Sequence, residues 1–438
     1  MKHFINLGKK LFPICRSITG KGVTQTLRII KNEIPELKIK KIKSGSRVFD
    51  WKIPPEWVID DAYVKYKNKR IIDFKKNNLH LVNYSIPVKK NLNKNSLLKK
   101  IFSIKEQPFA IPYVTSYYKK NWGFCITDVQ KENIIKKYPE NTKFQVRVKS
   151  SFKRNGFLTY GELIIPGKSK KEILISTYIC HPSMANNELS GPLVSVALAK
   201  YYLKRKNKRT IKIIFIPETI GSIAYIKKKI KDLKKNVIGG YVLTCIGDNR
   251  SYSYLESKYG NSISDYCAKK TFEELKLKYK NYSFLERGSD ERQFNSVGID
   301  LGVGSLMRSK YGEYPEYHTS LDTFGKVVTL KGLKGGYKVA KLAVNKLINL
   351  KLNKTIKKKS NKNYPLSKFI CEPNLGRRNL YDLISIKNRK KTSSRNLLNF
   401  LQYADGKNSL SKIKKYIKLN KTQTKKIFNV LRRNQLLK

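Results

Sequence analysis

Short apolar runs alternate with segments of helical periodicity through the middle of this chain, and this alternation constrains the fold more than any other feature. The apolar runs cover residues 173–179, 211–216, 237–245 and 299–303. The helical patterns cover residues 190–201, 222–233, 262–275 and 337–350. Each apolar run has the length of one buried strand. Buried strands that alternate with helices predict an α/β domain built on a largely parallel sheet.

Polar residues capable of chemistry follow the predicted strands. They are, in chain order, His181, Asn187 and Glu188 after the first run, Glu218 after the second, Asp248 after the third, and then Asp290, Glu291 and His318. Loops at the carboxyl ends of parallel strands meet at one edge of a sheet, so we expect these side chains to gather there. Imidazoles and carboxylates from separate loops favour a catalytic zinc site that keeps one position open for water.

The scarcity of histidine strengthens this interpretation. The chain has four histidines, and His181 and His318 both lie in these segments. A single histidine is more often structural than metal-binding, but two beside carboxylates favour a metal. His3 lies at the start of the chain and His80 in an alternating strand pattern, so we interpret neither as a ligand.

The formal charge of +62 and the pI near 10.1 suggest nucleic acid or an anionic membrane surface as a partner. Lysine far outnumbers arginine, however, and the lysines are spread along the whole chain, as codon drift in an AT-rich coding sequence would produce. We therefore expect salt-sensitive, nonspecific binding to polyanions. Residues 1–16 lack the pattern of a signal peptide, and no apolar run is long enough to span a membrane. These features predict a cytoplasmic protein without a membrane span, and the scattered cysteines fit a reducing compartment.

Changes of texture divide the chain into three predicted domains. Residues 1–40 and 141–360 form the α/β domain, and residues 41–140, with short alternating runs rich in aromatic residues, form an inserted, mainly β domain. A Lys-rich stretch at residues 351–363 is the predicted linker to a third domain at residues 365–438. Its three short amphipathic helices match a winged helix-turn-helix in size.

The last of these helices carries Lys425, Lys426, Arg432 and Arg433, where a DNA-reading helix would contact the groove. Winged helices also serve as protein–protein modules, and lysine is abundant everywhere in this chain. A role as a nucleic-acid regulator is therefore one hypothesis for the function, beside the two given below, but we expect no sequence-specific DNA binding.

Three segments resemble the cocatalytic zinc aminopeptidases, in the order found in those enzymes: residues 181–191, the loop 217–221, and the Tyr-His-Thr-x-x-Asp ending at 317–322. The whole chain resembles more closely a bacterial family of aminopeptidase-like proteins found with polysaccharide-biosynthesis genes. The segments that carry this likeness are residues 11–20, 48–57, 110–118, 121–125 and 403–406. The resemblance implies a three-layer α/β/α domain of the zinc-aminopeptidase type, an inserted mainly β domain and a C-terminal winged-helix domain.

Carried over residue by residue, the resemblance makes His181 the first metal ligand and His318 the last. Glu218 becomes either a metal carboxylate or the general base. Asn187 takes the place of the aspartate that bridges two metals in working aminopeptidases, and Thr244 the place of a further carboxylate. A neutral amide poorly offsets the repulsion between two dications, so the expected cofactor is one zinc ion rather than two.

Two questions about the site remain open in the sequence. Glu188 or Asp248 would support the ion held by His181, Glu218 and His318. Glu188 or Glu291 would act as the general base if Glu218 binds the metal.

The favoured function is a metal-dependent, aminopeptidase-like amide hydrolase linked to surface polysaccharide biosynthesis. Its substrate would be a small aminoacyl or amino-sugar compound, and the chain could form a homo-oligomer. The alternative is a noncatalytic ligand-binding or assembly protein of a glycan pathway that has lost the full metal site, because fold alone does not fix function.

Overall fold

A computed structural model describes residues 1–351, 361, 363–380 and 393–438. The predicted linker at 351–363 lies almost wholly outside the described residues. The strands are β1 Lys38–Lys43, β2 Arg47–Val48, β3 Trp51–Lys52, β4 Glu56–Tyr66, β5 Lys69–Asp73, β6 Val88–Asn93, β7 Ile101–Phe102, β8 Phe124–Cys125, β9 Lys143–Lys153, β10 Phe157–Ile165, β11 Gly167–Tyr178, β12 Asn207–Ile216, β13 Val237–Leu243, β14 Ser253–Leu255, β15 Lys280–Tyr282 and β16 Val303–Met307. The helices are α1 Lys2–Leu11, α2 Lys21–Glu33, α3 Lys94–Leu98, α4 Asp128–Lys137, α5 Ser190–Leu203, α6 Ile220–Asn236, α7 Ile263–Glu274, α8 Glu291–Phe294, α9 Leu330–Asn349, α10 Ser393–Tyr403, α11 Leu410–Ile417 and α12 Lys421–Arg433.

The main sheet has eight strands in the order β1-β10-β12-β11-β13-β16-β14-β15. Its four central strands, β12, β11, β13 and β16, run parallel to one another. Antiparallel strands flank this group on both sides: β10 pairs with β12, and β14 pairs with β16. The parallel strands therefore end at a common edge, which brings the loops after β11, β12 and β13 together, as ligand loops are in open α/β sheets.

Two apolar cores lie on opposite faces of this sheet. On one face, α1, α2, α5, α7 and α9 pack against residues such as Ile173, Ile175 and Ile213. On the other face, α6 and the inserted β region pack against the alternate residues, including Leu174 and Ile214. A strand with both faces covered has to be apolar throughout, which is why the runs in β11 and β12 show no alternation. The outcome is the predicted three-layer α/β/α architecture.

The inserted region contains two small strand pairs and the four-stranded sheet β5-β4-β9-β6, whose strand β9 lies beyond the predicted end of the insert at residue 140. Its loop at residues 110–118 returns to the main sheet, where the backbone N–H of Tyr113 donates to the carbonyl of His318 at 2.8 Å. The backbone N–H of Ser320 likewise donates to the carbonyl of Ile111 at 2.9 Å. The insert is thereby attached directly to the loop that carries the second candidate histidine.

Within its described residues, the C-terminal region has three helices, α10, α11 and α12, where the periodicity predicts them. It packs against the main domain rather than standing apart. Gln402 donates to the carbonyl of Arg292 at 3.0 Å, and Arg287 donates to Asn399 at 2.6 Å and to the buried Glu372 at 3.1 Å. These buried polar contacts fix the C-terminal helices beside the site described below.

The last predicted strand differs from the structure: of residues 299–303 only Val303 is in a strand, because Gly302 before it has a φ of +63°. At the start of α5 the Ser190 hydroxyl donates to the carbonyl of Asn186 at 2.6 Å. Among the described residues, no helix has the length and apolarity required to cross a bilayer.

Candidate functional site

A buried chain of charged groups fixes the orientation of His181 at the end of β11. Its Nδ1 lies 2.8 Å from Oε2 of Glu188. The other oxygen of Glu188 lies 3.5 Å from Nε of Arg16, and both of these side chains are fully buried. Arg16 also donates to the carbonyl of His181 at 2.9 Å. With Nδ1 occupied, Nε2 is the ring nitrogen that can face a ligand, as in many metal-binding histidines supported by a carboxylate.

The charges around His181 change its protonation. Burial alone would lower the pKa of His181, but the hydrogen bond to Glu188 and the negative charges of Glu188 and Glu218 outweigh it, so the pKa is raised. Burial also raises the pKa of Glu188 against the opposing effects of His181 and Arg16. The pair therefore retains a proton between its two members in the absence of a metal.

The Glu218 carboxylate lies on the Nε2 side of His181, and the second imidazole lies near the same ring. Oε2 of Glu218 is 3.8 Å from Nε2, and Oε1 accepts a hydrogen bond from Ser289 at 2.6 Å. The rings of His181 and His318 are 5.5 Å apart between centroids. The Glu218 side chain is 23% exposed, whereas that of His181 is 7% exposed, so the carboxylate opens to the cleft.

The backbone beside these groups is strained. Ser183, Thr219, Cys245 and His318 all have φ between +43° and +62°, a region that residues other than glycine seldom occupy. Each residue lies in a loop at the carboxyl edge of the sheet, at or within two positions of a predicted site residue or strand end. Strain of this kind persists where surrounding contacts fix the backbone, and it is concentrated at functional sites.

Asn187 lies at the predicted place, but its side-chain amide takes part in hydrogen bonding within the protein. It is fully buried, and its Oδ1 accepts a hydrogen bond from Tyr178 at 3.3 Å. Its backbone N–H and that of Asn186 donate to the two oxygens of Asp322 at 2.8 and 2.7 Å. Asp322 therefore positions the turn that contains Asn187 and Glu188, a role that the sequence did not indicate.

Asp248 is turned away from His181 towards hydrogen-bond donors of its own. Its oxygens accept from the side chain of Asn186, from the backbone and hydroxyl of Ser309, and from the backbone of Arg250, all within 3.0 Å. A carboxylate so occupied supports the loops rather than an ion.

Glu291 is likewise occupied. It accepts from the backbone of Gly288 and Ser289 and from the hydroxyls of Tyr311 and Ser305, and its side chain is fully buried. Proton transfer from a substrate would require several of these bonds to break. Of the predicted catalytic carboxylates, only Glu218 has access to the cleft, because Glu188 is held between His181 and Arg16.

Cys180 provides a competing donor set. Within the described part of the chain, the one group of three donor atoms lying within 4.8 Å of one another comprises Cys180, His181 and Glu188. In that group Nδ1 of His181 is already bonded to Glu188, and burial raises the pKa of the Cys180 thiol well above its usual value. Sγ accepts the backbone N–H of Glu218 at 3.2 Å. We therefore favour the Nε2 side of His181, where Glu218 lies.

Sequence reasoning missed the aromatic wall around the two histidines. The Tyr113 ring, from the insert, lies 5.2 Å from the rings of both His181 and His318, and Tyr317 stacks on His318 at 4.0 Å. Tyr113 also bonds through its hydroxyl to Tyr117 at 2.9 Å. The aromatic run at residues 110–118 was a signal for the fold, but nothing in it revealed that the insert reaches this site.

Asp290 is a further buried acid beside Glu218. Burial, together with the negative charge of Glu218, raises the pKa of Asp290 to about 8. One oxygen accepts from the backbone N–H of Thr219 and from the Ser222 hydroxyl, at 2.7 and 2.8 Å. In the metal-free protein Asp290 therefore holds a proton at neutral pH.

A cleft of about 700 Å³ leads from the surface to His181, Glu218 and His318. Its walls come from all three parts of the chain: the insert, the main domain, and the segment before α10. The residues that line it include Trp51, Lys52, Tyr117, Tyr118, Arg292, Glu372, Arg377 and Leu398. A volume of this size accommodates a small-molecule ligand.

The fold and the polar residues at the sheet edge define an aminopeptidase-like α/β protein with a C-terminal winged helix. The chain belongs to the family of the domain of unknown function DUF4910, whose model matches residues 5–350, and a winged helix-turn-helix model matches residues 363–438. A Clostridium acetobutylicum protein, named for polysaccharide biosynthesis and an aminopeptidase-like domain, is 41% identical over 406 residues, covering 92% of this chain and 89% of that protein.

Solved structures agree with this assignment. A protein from Clostridium acetobutylicum described as a peptidase is 39% identical, with a TM-score of 0.75 over 100% of this chain and 96% of that one. A zinc aminopeptidase from Bacillus subtilis has a TM-score of 0.59 at 14% identity, covering 80% and 95%. A peptidase M28 precursor from Shewanella amazonensis has a TM-score of 0.58 at 12% identity, covering 82% and 96%. The last two show the fold alone.

Proposed function

We propose that this chain is a metal-dependent amide hydrolase acting on a small aminoacyl or amino-sugar compound in surface polysaccharide biosynthesis. The observation that supports it most is the approach of Nε2 of His181 to Oε2 of Glu218, 3.8 Å apart at the inner end of the cleft. The name of the Clostridium acetobutylicum relative supports the polysaccharide link, and the zinc aminopeptidase fold supports amide hydrolysis.

His181 and Glu218 supply two donors that fit one zinc ion, whereas no His318 nitrogen lies within 4.8 Å of both of them. Nitrogen and oxygen ligands of a tetrahedral zinc, each about 2.0–2.2 Å from the metal, lie roughly 3.3 Å from each other. The observed 3.8 Å needs only a small closure. His318 would complete the set after a side-chain adjustment. A zinc ion held there would polarise an amide carbonyl and lower the pKa of a bound water.

The protein's own groups prepare this chemistry. Glu188 and Arg16 hold His181 in one orientation, and Ser289 holds one oxygen of Glu218. Glu218, as the carboxylate open to the cleft, would supply the carboxylate ligand of that ion. The walls from the insert and the C-terminal segment limit the access of bulk water to these groups.

The experiment compares zinc-loaded wild-type protein with His318→Ala and Glu218→Gln on a panel of aminoacyl anilides and N-acylated amino sugars. We expect turnover by the wild type and its loss in both variants. His3→Ala is the matched control, because His3 lies on the surface, hydrogen-bonded to Glu33, and should be dispensable.

The noncatalytic alternative has one specific observation in its favour: Asn187 is a neutral amide where a metal-bridging carboxylate would be expected. It predicts no turnover by any form, together with ligand binding that persists in chelator and survives Glu218→Ala. That combination would replace the hydrolase proposal.

A further inference from the structure

The outer half of the cleft is a rigid site formed where the insert meets residues 372–378, the segment of the winged-helix region that precedes α10. The indole N–H of Trp51 donates to the carbonyl of Glu372 at 2.8 Å. The backbone N–H of Asn374 donates to Asp50 at 2.8 Å, and Arg378 forms two hydrogen bonds to the same carboxylate at 2.6 and 3.1 Å. The two walls are thus linked to each other, and the space between them is fixed before a ligand arrives.

The outer half of the cleft contains more cationic than anionic side chains. Two carboxylates, Asp50 and Glu372, belong to its walls, and both are buried. Arg378 pairs with Asp50, and Arg287 pairs with Glu372 through nitrogens at 3.1 and 3.3 Å. Each carboxylate is therefore matched by one arginine of its own.

Three further cationic side chains, besides the two arginines of these ion pairs, line the cleft. They are Lys52, Arg292 and Arg377, and two of them also approach the same carboxylates, Arg292 at 3.6 Å and Arg377 at 3.7 Å. Counted together, five cations face two carboxylates. The Arg377 side chain is 59% exposed, so its guanidinium can reach a ligand.

The general excess of lysine does not explain this cluster. Of the 93 Lys and Arg residues in the chain, 18 are arginine. Four of the five cations around the outer cleft are arginine. A random sample of this chain's cations would contain about one, so the cluster is not what unbiased drift towards lysine produces. Arginine is also the side chain best suited to bidentate recognition of a carboxylate or phosphate.

Aromatic rings lie beside these cations. The rings of Trp51 and Tyr118 meet edge to face with centroids 5.3 Å apart, and Tyr117 lines the same region. The Tyr118 ring is partly exposed, at 43%. Rings with an apolar face and a polar rim suit a ligand that combines C–H faces with hydroxyl groups, as a sugar does.

We infer that the outer cleft binds an anionic sugar, carrying a carboxylate or a phosphate, with its charge at Arg377 and Lys52 and its ring against Trp51 and Tyr118. This inference rests on the proposed function, in which that sugar is the part of the substrate on the far side of the amide from His181 and Glu218.

The test is calorimetric binding at 0.15 M salt, in chelator, so that neither zinc nor turnover is needed. The probes are methyl glucuronide, glucose 1-phosphate and neutral methyl glucoside. Charge-assisted contacts predict that at least one anionic probe binds about tenfold or more tightly than the neutral one. Which anionic probe binds better identifies the charged group.

Variants of single residues distinguish binding at the outer cleft from the nonspecific attraction of an anion to a strongly basic protein. Arg377→Gln and Lys52→Gln should each weaken the anionic probe about tenfold. Arg377→Lys should weaken it less, and none should change methyl glucoside. The controls Arg154→Gln and Lys143→Gln remove exposed cations outside the cleft lining and should leave binding unchanged.

Equal binding of charged and neutral probes, or an equal loss in the control variants, would overturn the inference. A result that rejects this inference differs from a result that rejects the hydrolase proposal. Zinc-dependent turnover that is indifferent to Arg377→Gln and to the charge of the leaving group would preserve the enzyme and reject the anionic sugar. Binding that depends on Arg377, in a protein that neither holds zinc nor shows turnover, would preserve the anionic-sugar inference and reject the hydrolase proposal.

Discussion

Replacing Glu188 by glutamine isolates the effect of the buried charge that supports His181. Glutamine keeps the shape and can still accept the Nδ1 proton, but it leaves Arg16 without its counter-charge in a fully buried position. Removing one partner of a buried ion pair destabilises a protein by about 3 kcal/mol or more. Loss of a carboxylate behind a metal-binding histidine weakens metal affinity by about 10- to 100-fold.

The assay has two readouts. Urea unfolding followed by tryptophan fluorescence should show the stability loss in metal-free protein, and competition with a fluorescent chelator should show the loss of zinc affinity. Glu273→Gln is the control, because Glu273 lies in an exposed pair with Lys270 and such pairs contribute about 0–1 kcal/mol.

A double variant, Arg16→Met with Glu188→Gln, separates charge from metal support. It should recover part of the stability, because no buried charge remains unmatched, while zinc affinity stays low. The recovery is partial because Arg16 also donates to the carbonyls of Leu11 and His181. Wild-type stability and wild-type zinc affinity in Glu188→Gln would refute the reasoning.

Two further predictions concern groups beside Glu218. The pKa of Asp290 is about 8 in the fold and near 3.8 when unfolded, so the folded state binds this proton more tightly and the wild type loses stability as pH rises from about 4 to about 8. In chelator, Asp290→Asn should therefore match the wild type near pH 4 and exceed its melting temperature increasingly up to about pH 8, with exposed Asp60→Asn as control; a difference independent of pH would contradict this. Asn187→Asp adds a buried carboxylate beside Glu188, so it should lower the melting temperature in chelator and increase the stabilisation by zinc. An unchanged response to zinc would show that residue 187 does not face the ion.

The sequence predicts the sheet well because burial on both faces forces continuous apolar runs in β11, β12 and β13. It also predicts that His181, Glu218 and His318 lie in loops at the carboxyl edge of the sheet, as they do in the structure. The C-terminal helices follow from their own periodicity.

What the sequence cannot show is which buried partners each polar group takes. Asp248 and Glu291 have the right positions for catalysis, but backbone N–H groups and hydroxyls occupy their oxygens. Arg16 lies 165 residues from the histidine whose carbonyl it binds, and Tyr113 reaches the site from the insert. Such contacts arise from tertiary packing, and no local pattern encodes them.

Zinc content tests the central claim most directly. Full-length protein is loaded with zinc, dialysed, and analysed by elemental mass spectrometry beside His181→Ala and His318→Ala. One zinc per wild-type chain, lost in both variants, is the expected result. A wild-type protein that emerges without zinc, or variants that retain it, would contradict the claim that these side chains meet around one ion.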